Sequence, residues 1–180
     1  MKITHIRHST FLVEDEYASY LFDYYKGTMP ELNMDKPLYC FASHIHYDHF
    51  SKQLFTETAH HPDVHYILSN DIKEKLVPAD MKSRTSFMGP DETLVLSEGE
   101  SQRARISVKT LASTDEGVAF IVSSDEKLIY HAGDLHDWIW EEEGEAYNRQ
   151  MEANYLKEMK KIEGMHFSLA FLPLDPRQAV

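Results

Sequence analysis

Residues 41–50 read FASHIHYDHF, which sets His44, His46, Asp48 and His49 within six positions. Imidazole and carboxylate are good ligands for zinc and other first-row metals. In a strand, alternate side chains share a face. His44 and His46 are therefore expected to point together from a strand end, with Asp48 and His49 following as the chain leaves it. With 11 histidines in the chain, chance would produce HxHxDH in about three such chains per thousand. Metal binding is the stronger reading.

The elements that would carry this cluster are mostly short strands. KPLYCFAS (36–43) is a nearly continuous apolar run, as expected of a strand covered on both faces. VHYILS (64–69) is another, and Ser69, Asn70 or Asp71 could cap a short helix over DIKEKL. Upstream, KITHIRHSTFLVE and SYLFDYY form a hairpin connected through EDEYA. Downstream, ETLVLSEGE, ARISVKTLAS and GVAFIVSSDEKLIYHAGD continue the strand pattern, the last as a hairpin turning at SSDEK. In EAYNRQMEANYLKEMKKI, Tyr147, Met151, Tyr155, Met159 and Ile162 recur at three- and four-residue steps, the apolar face of an amphipathic helix. FSLAFLPL (167–174) reads as a final buried strand. Sheets with helices packed outside satisfy this pattern.

Composition narrows the function classes. The 180 residues are expected to form one domain spanning 1–180, with neither repeats nor linkers. The formal charge of −12 gives nucleic acid no long-range attraction to the chain as a whole, so no nucleic-acid partner is expected. The single cysteine, Cys40, excludes an intramolecular disulfide and reads as a buried thiol. The N-terminus lacks a signal-peptide apolar core, and no run approaches the ~20 apolar residues of a membrane span. The expected setting is cytoplasmic, with no membrane.

HxHxDH after an apolar strand resembles the metallo-β-lactamase superfamily. YHAGDL (130–135) matches the later AGD-like segment, and HSTFLVE (8–14) looks like the start of a lactonase-like, uncharacterised branch. The resemblance implies an α+β fold, a four-layer αββα sandwich, and metal-dependent hydrolysis of an ester, lactone or phosphoester, with a small-molecule substrate as the partner. It puts His44 and His46 on a first metal, Asp48 and His49 on a second, and Asp134 between them. Asp48 and Asp134 would be the catalytic carboxylates. The implied cofactor is one or two Zn2+, with Mn2+ or Fe2+ as alternatives. FDYYKG (22–27) lies where the family has an Asp close to the site, which nominates Asp23. Dimers are common in the family, so a homo-oligomer stays open.

Two departures stand out. The family's third ligand to the first metal is a His that precedes the AGD segment, and TLASTDEGVAF (110–120) contains none. Asp115, 19 residues before Asp134, is the nearest replacement. It could instead cap a turn beside Gly117. A carboxylate ligand there would favour manganese, iron or magnesium. The family's last His ligand also has no counterpart before Val180, so the final elements of the fold are expected to be missing.

Other candidates are less specific. His8 could contact substrate, and His136 could line the pocket or stand in as a ligand. Trp138 and Trp140 could form an apolar wall or anchor the helix that follows. His131 is expected to orient its loop, while His60, His61 and His65 are expected to have surface roles. A degenerate metal-binding or interaction domain is the non-catalytic alternative, and a mononuclear iron redox enzyme of the same fold is the other.

Overall fold

Alternation within the short apolar strands decides the layering. Tyr20 and Phe22 on β3 (Ser19–Phe22), Tyr39 and Phe41 on β4 (Leu38–Ala42) and Ile67 on β5 (Val64–Ser69) face one way. Leu21, Cys40 and Tyr66 face the other. Both faces are buried, so each strand needs a cover on either side. The computed structural model describes residues 1–97, 105–125, 127–175 and 178, and it supplies both covers.

The first sheet runs β1 (Lys2–Arg7), β2 (Thr10–Glu14), β3, β4, β5 and β6 (Thr85–Met88) in that spatial order. β1 to β3 are antiparallel, and β3 to β6 are parallel. The second sheet comprises β7 (Thr93–Ser97), β8 (Arg105–Ala112), β9 (Val118–Ser124), β10 (Lys127–His131) and β11 (Leu169–Phe171). The core between the sheets joins Tyr20, Phe22, Tyr39 and Phe41 to Val118, Phe120 and Val122 of β9. Phe22 stacks on Phe41 with ring centroids 4.9 Å apart. Outside the first sheet, Leu54 and Phe55 of α1 (Gln53–Thr58) pack on Cys40 and Tyr66. Outside the second, Tyr155, Met159 and Ile162 of α2 (Gly144–Ile162) cover Ala119, Ile121 and Tyr130. The layers are helix, sheet, sheet, helix, the α+β sandwich that the motif implied.

Several local expectations change. KITHIRHSTFLVE is a hairpin by itself, turning at His8 and Ser9 with His8 at φ +45°. The EDEYA connection does join β2 to β3, held by Asp15 Oδ1, which accepts from the backbone N–H groups of Tyr17 and Ala18. DIKEKL forms only a 3-10 turn at Glu74–Leu76 without a side-chain cap. Asp71 instead accepts a hydrogen bond from the Ile45 N–H at 2.8 Å, tying the metal-motif loop to the end of β5. FSLAFLPL gives a three-residue edge strand, half-buried, because β11 pairs only with β10. Among the described residues, no helix is long and apolar enough to cross a membrane.

Candidate metal centre

The cluster forms where β3, β4 and β10 end. The chain does not continue as a strand through His44 to His49. The His46 carbonyl accepts from both the His49 and Phe50 N–H groups, at 3.0 and 2.9 Å. It is this turn, rather than strand alternation, that gathers the ligands. His44 and His49 end up buried, with ring centroids 4.1 Å apart, while the intervening Tyr47 is exposed.

Two glycines allow the other loops to close on this turn. Gly117 has φ +73°, and a Cβ there would lie 2.0 Å from the Ser43 carbonyl oxygen. Gly133, of the AGD segment, has φ +54°, and its Cβ would lie 2.7 Å from that of Ser43. Only glycine fits such approaches. They bring Asp115 and Asp134 to the histidines. Thr114 Oγ1 donates to the His136 carbonyl at 2.6 Å and accepts from the His136 N–H, linking the two loops.

Asp134 lies between the two buried imidazoles. Its Oδ2 is 3.5 Å from His44 Nε2, and its Oδ1 is 3.4 Å from His49 Nε2. His46 Nδ1 is 3.7 Å from Asp115 Oδ2, and His8 Nε2 is 3.3 Å from Asp48 Oδ2. These separations exceed ordinary N–H···O hydrogen bonds. Two ligand atoms about 2.1 Å from one ion at the tetrahedral angle sit about 3.4 Å apart. His44 Nε2 is buried without a hydrogen-bond partner. Ligand atoms of His44, His46, Asp115 and Asp134 all lie within 4.8 Å of one another, as do those of His8, Asp48 and His49. A buried orphan nitrogen beside hard carboxylate oxygens fits a divalent cation.

The shell around these groups fixes their tautomers. Asp23, fully buried at the end of β3, accepts from the Ser43 N–H, the Ser43 hydroxyl, His49 Nδ1 and His131 Nε2, all at 2.7–2.8 Å. The Ser43 proton is thus committed to Asp23, so His44 Nδ1 donates to Ser43 Oγ at 2.9 Å. Both His44 and His49 then keep Nδ1 as the donor and turn Nε2, the atom a metal would take, toward Asp134.

Charge reflects the same arrangement. Burial alone would raise the Asp23 carboxyl, but His131 and His49 hold it well below the usual range. Burial would lower His49, but the Asp23 contact lifts it to about 9. His44, which lacks such a partner, is pushed down to about 4 by burial and by His49. Burial raises the Asp134 carboxyl, with Asp23, Asp115 and Asp48 adding to the effect. A cation would relieve this crowding.

A cavity of about 670 Å3 opens onto His8, Asp48, His49, Asp134, Trp138 and Phe171. Trp138 forms wall and support together, donating its indole N–H to the Asp134 carbonyl at 2.9 Å. Two expected pocket residues lie elsewhere. Asp23 is enclosed and acts through His49, His131 and Ser43. His136 packs edge-on against Trp138, 4.8 Å between centroids, and is not among the residues that line the cavity. His61 is buried, not on the surface, with Nε2 3.1 Å from the Asn33 carbonyl. Sequence reasoning missed Glu116, whose Oε2 lies 3.6 Å from His46 Nε2, and also Ser43 and Asp71.

Residues 2–150 match the family model of the beta-lactamase superfamily domain. No curated protein sequence matches. Among solved structures, a protein described as a metal-dependent hydrolase from Parabacteroides distasonis is similar, with a TM-score of 0.58 and 16% identity. The match covers 97% of this chain and 70% of that one. CmlA, a diiron β-hydroxylase from Streptomyces venezuelae, is similar at a TM-score of 0.50 and 14% identity, over 76% of this chain and 30% of that one. The chain therefore spans less than a third of the hydroxylase's length.

Proposed function

The chain belongs to the beta-lactamase superfamily, and from that premise we propose that it is a metal-dependent hydrolase acting on an ester, lactone or phosphoester of a small molecule. The observation that carries the reading is Asp134, set between His44 and His49 and lining the cavity that holds Asp48. His44, His46, Asp115 and Asp134 would hold one divalent ion, and Asp48, His49 and Asp134 a second. Zn2+, Mn2+ and Fe2+ all suit two imidazoles with carboxylates. When bound, such ions supply Lewis acidity, making a water nucleophilic and polarising the scissile carbonyl or phosphoryl oxygen.

The chain's own groups do the rest. Asp48 faces the cavity, where it can orient the attacking water and accept its proton. Asp23 keeps the imidazoles of His49 and His131 from turning. Trp138 and Phe171 give the cavity apolar walls, and its volume suits a small organic substrate.

One observation favours a second reading. The carboxylate-rich surroundings of His46 and Asp134 suit iron, and a β-hydroxylase shares the fold. Both readings are tested with p-nitrophenyl esters, a bis-p-nitrophenyl phosphodiester and simple lactones, with and without oxygen, on protein of measured metal content. Oxygen-independent turnover lost in Asp48→Asn supports the hydrolase. Iron-specific, oxygen-dependent oxidation supports the redox enzyme. Retained metal without turnover leaves a degenerate domain.

A further inference from the structure

His8 is a residue of the β1–β2 turn, 40 positions before Asp48 in the chain. We infer that His8 is a metal ligand, completing with Asp48, His49 and Asp134 the coordination of the second cation. The inference rests on the metal-centre reading above and adds an imidazole that neither HxHxDH nor AGD contains.

Three observations carry it. First, His8 Nε2 lies 3.3 Å from Asp48 Oδ2, close to the separations across the Asp134–His44 and Asp134–His49 pairs. That is the spacing of neighbouring ligands on one ion. Second, the ligand atoms of His8, Asp48 and His49 fall within 4.8 Å of one another, and all three residues line the cavity with Asp134. With His8 included, each proposed ion meets two imidazoles and two carboxylates: His44, His46, Asp115 and Asp134 on one side, His8, His49, Asp48 and Asp134 on the other. Without it, the second ion would have one imidazole.

Third, the turn is held in place. His8 has φ +45°, in the left-handed region that only a few non-glycine residues adopt. Its carbonyl lies 2.8 Å from His5 Nε2, and the His5 ring stacks on Phe11 at 4.8 Å. Two residues on, Thr10 Oγ1 donates to the Asp23 carbonyl at 2.6 Å. The hairpin is thereby fastened to the strand end that supports His49. The alternative is that His8 only forms an ion pair with Asp48 at the cavity rim.

Two variants separate these roles. His8→Asn keeps a residue that tolerates the left-handed turn and can still donate to Asp48, but it lacks the imidazole. His8→Cys offers a thiolate ligand that cannot replace the ion pair. Chelator-stripped wild type and both variants are titrated with Zn2+ by calorimetry and with Cd2+ by ultraviolet absorption. The expected result is two Zn2+ equivalents in wild type and a second equivalent weakened by tenfold or more in His8→Asn. A thiolate-to-cadmium band absent from wild type should appear in His8→Cys, since Cys40 is buried. Two unweakened equivalents in His8→Asn, or no new band in His8→Cys, overturn the assignment of His8 alone. Failure of wild type to bind a second equivalent overturns the second cation itself.

Discussion

Oδ2 of Asp23 lies 2.7 Å from Nδ1 of His49, and both side chains are buried. The contact places the proton on Nδ1 and leaves Nε2 facing Asp134. Partners of this kind fix the orientation and basicity of a ligating histidine. Asp23→Asn keeps the shape and loses the charge. Its expected effect is a fall in metal affinity of roughly 10- to 100-fold, read by competition against a chromophoric chelator. Unchanged affinity would leave Asp23 a purely structural residue.

His46 has carboxylates on both ring nitrogens, Asp115 at 3.7 Å and Glu116 at 3.6 Å. Only Asp115 also comes within ligand spacing of His44 and Asp134. Asp115→Ala is therefore expected to lose one bound ion, and Glu116→Ala to retain wild-type stoichiometry. Metal content by mass spectrometry decides this. Equal losses would mean that the two carboxylates share the role.

The parts of the site legible in the sequence are those that are contiguous. HxHxDH and AGD announced five ligand-type side chains, and the apolar runs at 36–43 and 64–69 announced the buried strands behind them. The mode of convergence was not legible, because residues 44–50 turn where alternation would have continued a strand. Nor was the place of His8, which is set by the β1–β2 turn and its tie to Asp23, or of Ser43, which meets Gly117 and Gly133 at contacts far apart in sequence. α1, at six residues, is too short for a helical period to register. The run at 167–174 reads as buried because it is apolar, yet Leu172 and Leu174 lie past the edge strand and are exposed.

Gly117→Ala should destabilise the protein through the site. The left-handed conformation alone costs an alanine about 1–2 kcal/mol, and the contact with the Ser43 oxygen at 2.0 Å adds a backbone clash that no rotamer relieves. Gly164, at φ +78° with nothing within 4 Å of a Cβ, is the control. Gly164→Ala should show the conformational cost and leave metal binding untouched. Gly117→Ala should lower Tm further and weaken metal binding as well. Equal Tm shifts with intact binding in both would show that the Ser43 approach is unimportant.

The two buried histidines set opposite pH limits on the metal-free protein. His44 falls from 6.5 to about 4 on folding, so the unfolded chain binds more protons between those values, and stability is lost as pH falls through that window. His49 rises from 6.5 to about 9, so the folded chain binds more protons there, and stability is lost as pH rises through it. Each limb is at most about 3 kcal/mol. Chelator-treated protein should therefore show its highest denaturant midpoint near pH 6.5, falling on both sides. Saturating Zn2+ should flatten the alkaline limb, because a ligated His49 carries no proton on Nε2 to lose. A metal-free profile that keeps rising from pH 6.5 to 9 would contradict the Asp23–His49 pairing.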